Sequence, residues 1–263
     1  MMTPESLEKG IRGLPALPAM VERLLDILAK PDVDFRILEQ NINKDQALAS
    51  RVLSVANSPF YGLSGKIDSV KDACLVLGTN TTRNIVVSVT IVGSFPPRKA
   101  NCLDLAALWR HALATAASAK VLARLAGLDA ETAFTAGLLH DVGKMVLDIY
   151  FVSEYVAVIR YRDEHACLLC EAEDAVLGMN HCTVGAMAAR KWRLPESIIQ
   201  AIEQHHAGAP APASKIVDLV HVADVVARGL EIGNGGDTLI PALSAAAMDR
   251  LGITPAQIGE RLA

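Results

Sequence analysis

The 263-residue chain has few aromatic side chains, only 4% of its residues. That shortage argues against a β-sandwich, which draws on aromatic and β-branched residues. Ala, Leu and Val carry most of an apolar content of 51%, a balance that suits close-packed helices. There is no basic excess, because the formal net charge is -4. A general polyanion binder usually shows one. Arg98-Lys99 and Arg190-Lys191 are short pairs that read as solvated faces, so nucleic acid is not an expected partner. No run of about 18 apolar residues lacks a charge or a breaker, so neither a spanning helix nor a membrane partner is expected. The opening MMTPESLEKG is polar and holds two glutamates, unlike a signal peptide. Five cysteines (Cys74, Cys102, Cys167, Cys170 and Cys182) without a secretion signal read as reduced thiols of a cytoplasmic protein. Cys167 and Cys170 form a C-x-x-C with no second pair and no βαβ context, and read as two thiols on a buried helix turn. Internal repeats and low-complexity segments are also missing.

What is present is helical periodicity. It predicts helices over 17–28, 35–43 and 46–57, the last broken at Asn57-Ser58-Pro59. A loop with two glycines follows at 61–66, then a helix capped by Ser69 that ends near Gly78. The β-branched stretch 81–93 resembles a strand but has no partner strand, so it too reads as helix. The cluster Phe95-Pro96-Pro97-Arg98-Lys99 separates two apolar regions and marks a boundary, giving subdomains 1–97 and 98–263. Beyond it, helices are expected over 103–125, 133–150, 153–162, 167–177, 181–192, 195–206 and 215–230. A Gly/Pro loop lies at 207–212, and two short amphipathic helices occupy the tail. The fold class expected is all-α, an N-terminal bundle packed on a C-terminal one.

The chemistry concentrates in the second half. His140 and Asp141 are adjacent within an apolar segment read as one helix, where their side chains point about 100° apart. Such polar neighbours are costly in an apolar setting unless something satisfies them. A cation does so most simply, and imidazole with carboxylate suits iron, manganese, zinc, cobalt or nickel. His111, His181, His205, His206 and Asp224 sit in or at the ends of apolar helices, and His221 lies three positions before Asp224. Each has a plainer reading alone. His111 can be a core histidine, Asp224 can pair with a basic residue, and His205-His206 can favour a helix C-terminus. Lys144 can be a solvated lysine, and His165 reads as solvated in a charged stretch. Taken together, so many ligand-type residues in one apolar half-chain resist separate explanations.

His111, His140-Asp141 and Asp224 are similar to the H…HD…D pattern of the HD superfamily of metal-dependent phosphohydrolases. A wider set runs LPALP at 14–18, VANSPFY at 55–61, LWRH at 108–111, AGLLHDVGK at 136–144, HCTVG at 181–185, WRLP at 192–195 and His205-His206. This set resembles the HDOD family, the HD-related output domain of bacterial signalling proteins, over roughly residues 11 to 235. The resemblance implies two helical bundles, the second related to HD hydrolases. It also implies a regulatory role, often beside receiver or GGDEF modules, and the chain looks like a stand-alone member. Comparison with the HD-GYP branch, which hydrolyses cyclic di-GMP, implies two divalent transition-metal ions. One would take His111, His140, Asp141 and Asp224; the other His181, His205 and His206, with Asp141 bridging. Lys144 would face a phosphate, so Asp141 and Lys144 would be the catalytic pair. The chain departs from that branch at 207–212, where AGAPAP replaces the GYP loop. It departs again at Ala107, where a third-metal carboxylate can occur.

Two functions follow. The first is a regulatory module with a metal or nucleotide in its HD-like half, which engages a signalling protein through its N-terminal bundle and the 58–66 loop. The second is a phosphohydrolase acting on a cyclic dinucleotide or another phosphoester. Oligomeric state is not legible.

Overall fold

The structure, a computed structural model, describes residues 39, 42–43, 46–57, 66–93, 95, 102–206 and 214–262. The expected helix at 17–28, most of that at 35–43, the LPALP motif, nearly all of the 58–66 loop, the boundary cluster beyond Phe95 and the 207–212 loop lie outside the described residues. Among the described residues every regular element is helical, and none is long and apolar enough to cross a membrane. The chain forms two compact units, one over Pro15–Pro96 and the other chiefly over Pro97–Ala263.

In the first unit, α1 (Gln46–Ala56), α2 (Val70–Leu77) and α3 (Thr79–Gly93) pack on one another. Asn57 joins the two sides of the intervening loop. Its amide donates to the carbonyls of Leu53 (2.9 Å) and Ile67 (2.8 Å) and accepts from the Ile67 N–H (2.7 Å). Ser69 caps α2 by accepting from the Asp72 N–H. The β-branched stretch is α3, as expected. Ile85, Val86, Val87, Val89 and Ile91 are all buried, together with Thr81, Thr82, Asn84 and Ser88. A helix covered on every side shows no amphipathic period, which is why its sequence mimics a strand.

The second unit holds α4 (Leu105–Leu125), α5 (Ala130–Leu139), α6 (Val142–Tyr150), α7 (Val152–His165), α8 (Leu169–Leu177), α9 (His181–Lys191), α10 (Glu196–Gln204), α11 (Lys215–Gly229), α12 (Ala245–Leu251) and α13 (Pro255–Leu262). Asp104 and Asp129 cap α4 and α5. Helix α4 packs against α5 and α11. Its small residues let backbones approach: a Cβ on Gly137 would lie 2.8 Å from Ala116 Cα. Ala119, Leu122, Ala133, Leu219, Val222, Met248 and Leu251 fill the core beyond that crossing.

Two expectations need correction. The single helix over 133–150 is two helices, because Asp141 leaves helical geometry at φ -97, ψ 11 and begins α6. His140 and Asp141 therefore stand at a junction, and the 100° divergence of one continuous helix does not apply. Helix α8 starts at Leu169, not 167, because Glu171 Oε2 accepts from the Leu168 N–H at 3.0 Å and fixes the first turn there. Cys167 and Cys170 thus straddle the helix start, and both are free and only partly buried.

Candidate metal centre

Four helices and one junction deliver the ligand-type side chains. His111 comes from α4, His140 and Asp141 from the α5–α6 junction, His181 from the first turn of α9, His205 and His206 from the end of α10, and Asp224 from α11. Asn180 caps α9 and accepts from the Cys182 N–H, fixing where His181 begins. The approach of α6 to α9 sets the rest. A Cβ on Gly143 would lie 1.9 Å from the His181 carbonyl oxygen and 2.7 Å from the Gly185 N, so only glycine lets these backbones meet. That contact brings His181 beside Asp141.

The Asp141 carboxylate lies between two histidine sets. Its Oδ2 is 3.6 Å from His111 Nε2 and 3.2 Å from His140 Nε2, while Oδ1 is 3.3 Å from His181 Nε2 and 3.6 Å from His205 Nε2. Asp224 Oδ1 lies 2.9 Å from His111 Nε2 and 3.7 Å from His140 Nε2, and Oδ2 lies 4.0 Å from His206 Nδ1. His206 Nε2 is 3.1 Å from His181 Nε2. All seven side chains are buried except His206, which is partly so. The sequence-derived set is brought together in full.

The hydrogen bonds aim the rings. Nδ1 of His140 meets the Gly137 carbonyl (2.7 Å), Nδ1 of His205 the Ile202 carbonyl (3.0 Å), and Nδ1 of His181 the Glu173 carboxylate (2.6 Å). Carbonyls and carboxylates only accept, so Nδ1 carries a proton, and in the neutral form of each ring Nε2 turns a lone pair inward. His111 Nε2, His140 Nε2 and Asp141 Oδ1 are buried and have no hydrogen-bond partner, because the close approaches have the wrong angles. Unpartnered buried acceptors that face one another are unfavourable unless a cation lies among them. The donor set therefore fits a divalent metal of the imidazole and carboxylate class.

Protonation follows the same contacts. Burial pushes the Asp141 carboxyl up, but His140 and Lys144 overcome it and hold Asp141 well below the usual carboxylate range. Burial also opposes ionisation of Asp224, and Arg228 with His111 holds it low. Burial, helped by His205 and His181, keeps His206 neutral. Against burial, Glu173 draws a proton toward His181. A bound cation would displace that proton.

Several partners were not legible. Arg228 donates from Nε to Asp224 Oδ1 (3.1 Å) and from Nη1 to Asp237 Oδ1 (2.8 Å); its i,i+4 spacing from Asp224 was the available signal. Glu173 is fully buried, holds His181 and accepts from the Tyr155 hydroxyl, and no spacing marks it. Lys144 is also fully buried, which corrects the solvated reading. Its amine donates to Asp141 Oδ2 (2.7 Å) and to the Gly235 carbonyl (2.6 Å). His221 is a support rather than a donor to the cluster. Its Nε2 accepts from the Ser244 N–H, so Nδ1–H donates to the His205 carbonyl (2.8 Å). His165 is exposed and stacks on Tyr161, as a solvated residue can. A cavity of about 300 Å³ adjoins the cluster, lined by His111, Arg228, Glu231, Asn234, Asp237 and Thr238.

Glu173→Gln keeps the shape of the side chain but weakens its hold on His181. Metal affinity is expected to fall by about 10–100-fold, measured by competition with a chromophoric chelator. Unchanged affinity would mean that Glu173 serves packing alone.

The HDOD domain model matches residues 14–208 of the chain. The chain belongs to the HDOD domain family. An HDOD domain protein of unknown function from Geobacter sulfurreducens is 29% identical, with 98% of this chain and 89% of that one covered and a TM-score of 0.76. A candidate signal transduction protein from Marinobacter aquaeolei VT8 is 25% identical, with 99% and 57% covered and a TM-score of 0.77. Ribonuclease Y of Aquifex aeolicus is 31% identical over 116 residues, 44% of this HDOD chain and 16% of that protein. The HDOD chain spans less than half the length of the curated relatives it matches.

Proposed function

We propose that this HDOD protein is a bacterial, cytoplasmic signal-transduction output module built on a two-metal HD-type centre. His111, His140, Asp141 Oδ2 and Asp224 hold one divalent transition-metal ion. His181, His205, His206 and Asp141 Oδ1 hold the second. The observation that carries this reading is the Asp141 carboxylate, whose two oxygens face different histidine sets at 3.2–3.6 Å. Its output is contact with a signalling protein, governed by a metal or a nucleotide. The likeness to a candidate signal transduction protein supports the regulatory role. So does the engagement of Lys144, whose amine is held by Asp141 and by Gly235 in the 231–239 segment that lines the cavity.

A second reading is a metal-dependent phosphoesterase, favoured by the cavity of about 300 Å³ that places His111 beside Arg228. When bound, two ions would supply hydroxide near neutral pH and neutralise phosphoryl charge. Arg228 would orient a phosphate from the cavity wall. Lys144 would turn its amine from the Gly235 carbonyl toward that phosphate. The likeness to ribonuclease Y puts phosphodiesters among the substrates to try.

Metal analysis decides the centre: protein purified without chelators is expected to carry close to two equivalents. Protein that folds equally well and takes up no transition metal would sink it. Calorimetric titration with cyclic dinucleotides and nucleoside phosphates, alongside turnover assays with manganese or iron, separates the two readings. Binding without turnover supports the output module. Turnover abolished by Asp141→Ala reverses the order.

A further inference from the structure

We infer that Cys182 is a thiolate ligand in the second half of the centre, which makes that half a mixed histidine–thiolate site selective for a soft divalent metal such as zinc. The inference rests on the two-metal reading and adds a ligand to it. Cys182 is buried in the first turn of α9, next to His181. Its Sγ lies 3.7 Å from His205 Nδ1 and 3.9 Å from His205 Nε2. One ligand atom from each of His181, Cys182, His205 and His206 falls within 4.8 Å of the others. Around a tetrahedral zinc, ligands at usual bond lengths sit about 3.3–3.6 Å apart, the sulfur pairs at the long end. The 3.9 Å separation from His205 Nε2 is a few tenths of an ångström longer than such an edge, so a small inward movement of the thiol brings it to bonding distance of an ion held by the histidines.

The alternative is a thiol that merely packs on His205. Three observations weigh against it. Asp141 Oδ1, buried and unpartnered, points into the same group from the other side, 3.3 Å from His181 Nε2 and 3.6 Å from His205 Nε2. No other cysteine joins a metal-ligating group among the described residues, although four more are present. His205 Nδ1 is already engaged by the Ile202 carbonyl, so the thiol is not needed to orient that ring. On binding, the Sγ–H proton passes to solvent and the Sγ lone pair forms the bond to the cation. Nothing is oxidised or reduced. Thiolate prefers zinc or cobalt(II) to manganese or magnesium, which favour oxygen. The two halves of the centre would then differ in metal preference, the Asp224 half having no sulfur.

The test is cobalt(II) titration of the full chain after metal removal. Two equivalents should bind, only one of them with a near-ultraviolet thiolate-to-cobalt charge-transfer band. Cys182→Ser should abolish the band and weaken zinc at one of the two sites by about 10–100-fold. It should weaken manganese much less than zinc. X-ray absorption at the zinc edge of the unmodified protein should show sulfur at about 2.3 Å, one per two metals, without relying on any variant. Two equivalents with only nitrogen and oxygen scatterers would overturn the thiolate while leaving the two-metal reading intact. A band that survives Cys182→Ser would overturn it as well. Less than one equivalent of cobalt would overturn both.

Discussion

Asp141→Ala is expected to lower bound metal from close to two equivalents to almost none, because one carboxylate faces both halves of the cluster. No other side chain in the group approaches His111, His140, His181 and His205 together. Loss of the metal should also appear as loss of stability. A cation present at about a thousand times its Kd adds about 4 kcal/mol to the folded state. For a chain of this size that is a shift of about 8–16 °C in melting temperature. Chelator should therefore lower the melting temperature of the unmodified protein and leave that of the variant unchanged. Stability alone is ambiguous, however, because Lys144 is fully buried and donates to Asp141 Oδ2. Removing its partner strands a buried ammonium, a change that costs about 3–5 kcal/mol on its own. The paired variant Asp141→Asn/Lys144→Met removes both charges while keeping similar volumes. It should fold and still bind no metal by elemental analysis. Two equivalents retained in the paired variant would remove Asp141 from the centre.

The largest effect on folding is expected at Gly143. In Gly143→Ala the new Cβ would meet the His181 carbonyl oxygen at 1.9 Å and the Gly185 N at 2.7 Å. Both obstacles are backbone, so no rotamer change relieves them; α6 and α9 must separate. The expected cost exceeds about 4 kcal/mol, the range reserved for disrupted cores and forced backbone shifts. Any folded fraction should lose the second metal before the first, because the separation carries His181 away from Asp141. Gly259→Ala is the matched control. Gly259 lies in α13 with nothing within 4 Å of an added Cβ. Alanine there should leave stability unchanged or raise it by up to about 1 kcal/mol. Urea unfolding of the two variants measures the contrast. Equal midpoints would mean that the α6–α9 approach is not tight.

What could be read in advance was local. Low aromatic content and helical periodicity were enough for an all-α chain. Even the β-branched stretch of α3 yielded to the argument that a lone strand has no partner. The metal-type residues were legible because histidine and aspartate are costly in apolar surroundings, and that cost shows wherever Asp141 and Asp224 stand. The break between α5 and α6 was less visible. Apolar residues continue through it on both sides, so the pattern looks like one helix. Glu173 and Arg228 were missed for a different reason. Charged residues on a helix usually face solvent; nothing local shows that Glu173 turns inward, and the i,i+4 spacing from Asp224 was the one local sign for Arg228.

By itself, then, the sequence determined the element type, the approximate helix ends and the inventory of side chains able to bind a cation. Only the tertiary structure decided that these side chains meet, which imidazole nitrogen faces inward, and that Cys182 joins three histidines. Propensity and desolvation cost act within a few residues and leave marks in the local pattern. Convergence depends on backbones crossing at Gly137 and Gly143, contacts between residues more than 20 positions apart, and those close distances exist only once the helices have packed.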